Sequence, residues 1–286
     1  MKLPILVVGG DGLIGGALAK HLSEQGETPI TTVLSDTKVP NSILFDLTAS
    51  AWPLLPRVSA AVICAAVTSQ QQCRKDPART RHVNVVQTLK LIGELVATDT
   101  FVVFLSTNLV FDGSKPLRTL NETTCPKTEY GRQKAEVELA LTEWRNKTAI
   151  IRLTKVFHSG LPLLVKWRQD LGAGRKVEAF TDYLCSPIYM QTVVSGISRI
   201  TRERRSGIWH FSGPTDVSYA TLARTIARLY GAKPSLVRFA TASSALLEHL
   251  PANTTLDSFR TREQLNLVFP EADAVLNECL GPNNSS

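Results

Sequence analysis

The sequence lacks any apolar run approaching the roughly 18 residues that a bilayer-spanning helix needs. Its first apolar run, residues 4–8, stops in glycines, without the longer segment and small-residue cleavage site of a signal peptide. The chain is therefore expected to stay in the cytoplasm, with no membrane partner. The five cysteines, Cys64, Cys73, Cys125, Cys185 and Cys279, are odd in number and scattered, with no C-x-x-C pair. That spacing argues against a disulfide framework and a zinc site, so no metal is expected and a reducing compartment suits the chain. The Asn-x-Thr sequons at Asn121 and Asn146 then carry no glycan. Low-complexity tracts are missing as well, which leaves no reason to expect disorder.

What is present is an ordinary globular composition, 43% hydrophobic over 286 residues, enough for one large α/β domain with a smaller lobe. The formal charge of +7 raises the question of nucleic acid. However, the basic residues are spread along the chain, only Arg202, Arg204 and Arg205 cluster, and no basic helix face carries interleaved aromatics. Nucleic acid is not expected; attraction of small anionic ligands accounts for the charge equally well.

Periodicity gives the architecture. Short β-rich runs at residues 5–8, 30–34, 43–45, 60–66, 101–105 and 149–153 alternate with helical patterns. Ile14, Leu18 and Leu22 fall on one helical stripe closed by Gly26; Val85, Leu89, Ile92 and Val96 fall on another; residues 130–144 form a third helix. Continuous apolar strands separated by helices require a parallel sheet covered on both faces. The expected fold is α/β, a Rossmann-type doubly wound parallel sheet. Past residue 155 glycines and prolines loosen the pattern. A helix near 193–200 and a strand at 208–211 read as a return to the main sheet, followed by helices at 219–230 and 256–265. The expected division is a nucleotide-binding domain of residues 1–155 and 188–212, a smaller α/β lobe of 156–187 and 213–280, and a frayed tail of 281–286.

The run Gly9-Gly10-Asp11-Gly12-Leu13-Ile14-Gly15 sits between the first strand and the first helix. G-x-x-G-x-x-G is a weak signal alone, but a buried strand before it and an amphipathic helix after it are the context that a dinucleotide site requires. Gly9 permits the turn, Gly12 lets a pyrophosphate reach the backbone, and Gly15 lets helix and strand pack closely. The N–H groups of Leu13 and Ile14, at the helix start, face an anion with a favourable dipole. The alternative is a tight βα turn without a ligand. The second strand ends Leu34-Ser35-Asp36, with Lys38 beyond. A late acid and a nearby cation favour NADP(H) slightly over NAD(H). Asp46, with Leu47, follows the third strand and is placed to meet the adenine, though a surface Asp would look the same.

Tyr130-Gly131-Arg132-Gln133-Lys134 stacks Tyr130 and Lys134 on one helix face. An ammonium beside a phenol is expected to lower its pKa, so that Tyr130 can pass a proton to a carbonyl oxygen. Ser106-Thr107-Asn108 ends the fifth strand, where open α/β sheets bind ligands. Strand alternation should aim only one hydroxyl at the ligand, Thr107 in preference to Ser106. The competing reading is that these hydroxyls cap the strand end.

On these residues the chain resembles the extended short-chain dehydrogenases/reductases, and among them the dTDP-4-dehydrorhamnose reductases. The likeness runs through Gly9 to Gly15, Cys64-Ala65-Ala66, Asn84, Ser106 to Gly113, Tyr130 to Lys134, Ser186-Pro187, Gly207 to Gly213 and Asn253 to Asp257. It implies Thr107, Tyr130 and Lys134 as the catalytic set. It also implies a cofactor site that includes Ala65, Ala66, Asn84 and Ser106, and a substrate lobe built from the later segments. Asn108, Tyr183 and Ser186 are the candidates for substrate contact. The expected activity is NAD(P)H-dependent reduction of a nucleotide-linked 4-keto-sugar. An epimerase is the same-class alternative. A cofactor-binding regulatory subunit, like the β subunit of methionine adenosyltransferase, which resembles the same reductases, is the non-catalytic one. A homodimer is compatible with the sequence. The departure is Ser-Thr-Asn-Leu where those reductases have Ser-Thr-Asp-Tyr, which removes an acid and a phenol and leaves the particular sugar open. Asn108 and Leu109 also cannot protonate or deprotonate a leaving hydroxyl, which argues against dehydration.

Of the remaining residues, His158 reads as a loop histidine, and Cys125 and Cys185 as incidental thiols. Arg152 is either a phosphate contact or the partner of an acid. Trp167 and Trp209 read as packing.

Overall fold

The computed structural model describes residues 3–35, 39–243 and 250–281. Asp36 and Lys38, on which the cofactor preference turned, lie outside them, as do residues 282–286 of the tail. In chain order the strands and α-helices of the first stretch are β1 (Ile5–Val8), α1 (Leu13–Glu24), β2 (Ile30–Val33), β3 (Ser42–Leu44) and β4 (Ala60–Ile63). There follow α2 (Gln70–Lys75), α3 (Pro77–Arg81), α4 (Thr88–Ala97), β5 (Phe101–Thr107), α5 (Glu129–Ala140) and β6 (Thr148–Leu153). The later elements are β7 (Lys155–Phe157), α6 (Pro162–Gly172), β8 (Val177–Phe180), β9 (Leu184–Cys185), β10 (Pro187–Tyr189), α7 (Met190–Arg202) and β11 (Gly207–Phe211). The chain ends through β12 (Val217–Ser218), α8 (Tyr219–Leu229), β13 (Val237–Ala240), α9 (Phe259–Leu265) and α10 (Ala272–Leu280).

The seven-stranded sheet has the order β11-β6-β5-β4-β1-β2-β3. β1 pairs in parallel with both β2 and β4, β2 with β3, and β4 with β5. This is the expected doubly wound Rossmann fold, and β11 does return to the sheet. The chain moves outward from β1 to β3, then resumes at β4 on the other side of β1. The carboxyl ends of β1 and β4 are thus the switch point, where such sheets open a crevice for ligand. Val, Ile, Leu and Ala on β1 and β4 are buried on both faces, as a covered parallel sheet demands.

Two compact units divide the chain. The first comprises Met1–Phe111, Thr123–Arg152 and Val194–Trp209, with a core that includes Leu6, Ile63, Leu91, Phe104 and Val137. The second comprises Asp112–Glu122, Leu153–Val193 and His210–Ser286, built on Phe157, Trp167, Tyr219, Ile226 and Leu276. The segment 112–122, which periodicity runs on with the first domain, folds with the second unit. Its Gly113 carbonyl accepts from Asn253 N–H at 3.1 Å and its Arg118 carbonyl from Asp257 N–H at 2.9 Å. These partners lie some 140 residues away in sequence, a separation that a local pattern does not reveal.

The turn from β1 into α1 is closely packed. A Cβ on Gly15 would lie 2.0 Å from the Gly9 carbonyl oxygen. Gly9 itself holds φ +87°, a left-handed backbone that glycine adopts at little cost. Gly15→Ala is therefore expected to lower stability in urea unfolding by about 2–4 kcal/mol, whereas an ordinary surface substitution changes it by roughly 0.5.

Candidate active site

The loop after β1 is held from below by β2. Gly9 N–H donates to Thr32 Oγ1 at 2.9 Å and Gly10 N–H to the Thr32 carbonyl at 2.7 Å. Asp11 is occupied as well, its carboxylate accepting from Leu34 N–H at 2.9 Å. The first intrahelical bond of α1 runs from Gly16 N–H to the Gly12 carbonyl. The N–H groups of Leu13, Ile14 and Gly15 therefore have no acceptor within the helix. No side chain caps this end and no acid stands in the first turn. These features fit the pyrophosphate of a nicotinamide dinucleotide: N–H donors with no acceptor in the helix, no acid in its first turn, and at Gly12 a position where a Cβ would meet only the Gly9 carbonyl, at 3.2 Å.

The neighbouring loop, after β4, comes equally close. A Cβ on Gly9 would sit 2.9 Å from Ala65 N, and the N–H groups of Cys64 and Ala65 both donate to the Val8 carbonyl at 2.9 Å. Ala65 and Ala66 are half-buried there. Asn84 lies beneath them, only 1% exposed, in a π-helical turn spanning His82–Gln87. Its side chain clasps the Val67 backbone, accepting from Val67 N–H at 2.8 Å and donating to its carbonyl at 3.0 Å. It also donates to Gln133 Oε1 at 2.8 Å. Those bonds engage the Asn84 amide, which braces the loop after β4. Asp46 is exposed and caps its own turn through Thr48 N–H at 2.7 Å, while Leu47 is buried.

Helix α5 is docked on the end of β5. Thr128 caps it, accepting from Gly131 N–H at 3.0 Å. Gly131 is required, since a Cβ there would meet the Leu109 carbonyl oxygen at 2.1 Å. Lys134, 4% exposed, donates from Nζ to the Leu105 carbonyl at 2.7 Å and lies 4.4 Å from the Phe104 ring centre. Its Nζ is 5.9 Å from the ring centre of half-buried Tyr130. Alternation along β5 separates the two hydroxyls as expected. Ser106 turns to the Glu138 carboxylate, and Thr107 accepts from Leu109 N–H at 3.2 Å and contacts Asn108 Oδ1 at 3.4 Å. Thr107 thus caps the following 3₁₀ turn.

One expectation needs correction, and two of the expected site residues are buried. The Tyr130 phenol is raised above its ordinary pKa, not lowered, because burial disfavours the phenolate and Cys73 adds to that. Ser186 has no exposed surface; its hydroxyl donates to the Gly213 carbonyl at 3.0 Å and lies 3.2 Å from the Ser212 hydroxyl. It braces a turn in the second unit. Ser106, placed in the cofactor set, is likewise buried against Glu138. Tyr183, also in the second unit, stacks on Tyr219 with ring centres 4.4 Å apart. Burial raises the phenols of both. Arg152 takes the acid option, pairing with Glu138 at 2.6 Å in the core. Trp167 and Trp209 are core residues, Cys125 is exposed, and His158 is half-buried with its pKa lowered by burial. Gly131 and Glu138 went unnoticed in the sequence. A glycine inside a helical pattern and an acid four residues after Lys134 were the available signals.

Burial lowers Lys134 to about 8, partly offset by Cys64 and Glu138, which favour the charged form. In the unfolded chain it titrates near the model value of 10.5. The unfolded state therefore binds more protons between these values, and the contribution of Lys134 to stability rises with pH across that window and is lost as pH falls through about 8. Compared with Lys134→Met, the wild-type protein is expected to gain stability from pH 8 to 10 in urea unfolding; parallel pH curves would contradict this.

The chain as a whole has relatives. Residues 1–284 match the model of the RmlD substrate binding domain family. A dTDP-4-dehydrorhamnose reductase of Burkholderia thailandensis is 25% identical over 94% of this chain and 95% of its own. The methionine adenosyltransferase 2 subunit beta of Rattus norvegicus is 22% identical over 88% of this chain and 80% of its own. A solved dTDP-4-dehydrorhamnose reductase of Bacillus anthracis, in complex with NADP, superposes with a TM-score of 0.81 at 20% identity, covering 98% of this chain and 99% of that one. The chain belongs to the RmlD substrate binding domain family.

Proposed function

We propose that the protein is an NAD(P)H-dependent reductase of a nucleotide-linked 4-keto-sugar, with Thr107, Tyr130 and Lys134 as its catalytic residues. The observation that carries this reading is Lys134, a buried lysine on the helix of Tyr130, hydrogen-bonded to the strand that ends in Thr107. A buried ammonium is costly unless paired, and a module that only binds a cofactor has no need of one beside a phenol. Gly9, Gly12, Leu13, Ile14, Gly15, Ala65 and Ala66 would hold the cofactor, with Asp46 toward the adenine. When bound, that cofactor supplies a hydride for the sugar C4.

The chain's own residues do the rest. Thr107 Oγ1 orients the carbonyl. The Tyr130 phenol, kept protonated by burial, delivers its proton to the carbonyl oxygen as negative charge develops there. The Lys134 ammonium stabilises the phenolate that remains, a role it can play only while charged. The second unit would be the substrate-binding lobe, with Tyr183 as its candidate contact, while Asn108 is a candidate at the end of β5. The substrate is a small anionic nucleotide and not nucleic acid. A slight preference for NADP(H) over NAD(H) is retained as an expectation, and the site lies in a cytoplasmic enzyme. Asn108 and Leu109, which cannot take part in proton transfer, are what a regulatory subunit would retain. That second reading is separated from the first by turnover alone.

The test is oxidation of NADPH and NADH by the purified protein with dTDP-4-keto-6-deoxy-L-mannose. Turnover is expected, and Tyr130→Phe should lower kcat by about 10²–10⁴-fold while retaining cofactor binding. Cofactor binding without turnover of this or other keto-sugar nucleotides would overturn the reductase reading in favour of the regulatory one. Because Lys134 must be charged, kcat/KM should fall as pH rises through about 8. A profile flat to pH 10 would remove Lys134 from the mechanism.

A further inference from the structure

Beneath the proton-transfer residues lies a charged cluster that the reaction itself does not use. Glu138 and Arg152 are 5% and 3% exposed, in the core between α5 and β6. Arg152 Nε donates to both Glu138 carboxylate oxygens at 3.1 Å, and its Nη2 to Oε2 at 2.6 Å. The guanidinium also lies over the Phe111 ring, 5.0 Å from its centre. A buried ion pair is a poor source of stability, because desolvation offsets much of the attraction. The cluster therefore calls for an account other than stability.

Its connections suggest one. Consecutive residues of β5 are gripped by successive turns of α5: the Leu105 carbonyl by Lys134 and the Ser106 hydroxyl by Glu138. Thr107 is the next residue along. The titratable groups around Lys134 are Tyr130 and Glu138 on its own helix, Cys64 after β4 and Cys73 on α2, with Arg152 of β6 paired to Glu138. Burial pushes the Cys64 thiol up to about 12, and raises Cys73 and Tyr130 too. All three are thus uncharged at neutral pH. Glu138, whose carboxylate is paired to Arg152, lies one helical turn along α5 from Lys134.

We propose that Glu138, held by Arg152 and Ser106, is a positioning residue that keeps Lys134 charged and Thr107 in place. Its catalytic meaning rests on the reductase reading above, but its action on Lys134 does not.

The test follows the Lys134 Nζ titration by NMR in lysine-labelled, cofactor-free protein, with the resonance assigned through Lys134→Arg. The pH profile of kcat is recorded in parallel. Glu138→Gln is expected to move the Lys134 titration and the basic limb of the profile down by about one unit. The pair Glu138→Gln and Arg152→Met, which removes both charges of the buried ion pair together and so protects folding, should shift both in the same direction by a smaller amount. Ser106→Ala should lower kcat several-fold while the limb stays where it was. A Lys134 titration unmoved in the folded single or double variant would overturn the proposal, leaving Glu138 a merely structural residue. A shifted titration in a protein that turns over no keto-sugar nucleotide would support the proposal and overturn the reductase reading instead.

Discussion

The site depends on one buried ammonium. Lys134 has lost nearly all contact with water, and the Leu105 carbonyl is the acceptor that it reaches in exchange. A charge in that position costs stability unless its partners are fixed, so the surrounding contacts have little freedom. Gly131 must be a glycine for α5 to approach β5 closely enough. Thr128 sets where the helix starts, and Gln133 ties the helix to Asn84 and Thr80. Moving α5 by an ångström would separate Lys134 from its carbonyl and Tyr130 from the strand end together.

The same constraint joins the two halves of the first unit. Asn84, bonded to Gln133 on α5, also clasps the Val67 backbone and so fixes the loop of Ala65 and Ala66. That loop lies against Gly9, and Gly9 against Gly15 at the start of α1. A chain of close contacts therefore runs from the proton-transfer helix to the loop proposed for the pyrophosphate. The donors at the start of α1 and the lysine on α5 are positioned by one rigid framework, not by independent loops.

Much of this was legible in the sequence because it is local. The glycines between β1 and α1, the stacking of Tyr130 on Lys134 and the alternation of Ser106 and Thr107 each follow from a period of 3.6 or 2. The strand at 208–211 was legible too, since an apolar run after a loosened region has few other places to pair. What stayed hidden depends on partners distant along the chain. The segment 112–122 gives no local sign that it folds with residues 250–257. Ser186 reads as a polar residue near a substrate segment, and only its bonds to Ser212 and Gly213 show that it is closed off. The direction of the Tyr130 shift required knowing how deeply the phenol is buried; spacing places two side chains on one face but does not tell how far they are from water.

The central claim is that a hydride reaches C4 of a keto-sugar while Tyr130 supplies the proton. Its most direct test is single-turnover reaction of the protein with NADPH deuterated at the transferable C4 position and dTDP-4-keto-6-deoxy-L-mannose. Product carrying deuterium at sugar C4 is the predicted result. Cofactor that stays bound with its label intact, and sugar recovered as the ketone, would contradict it.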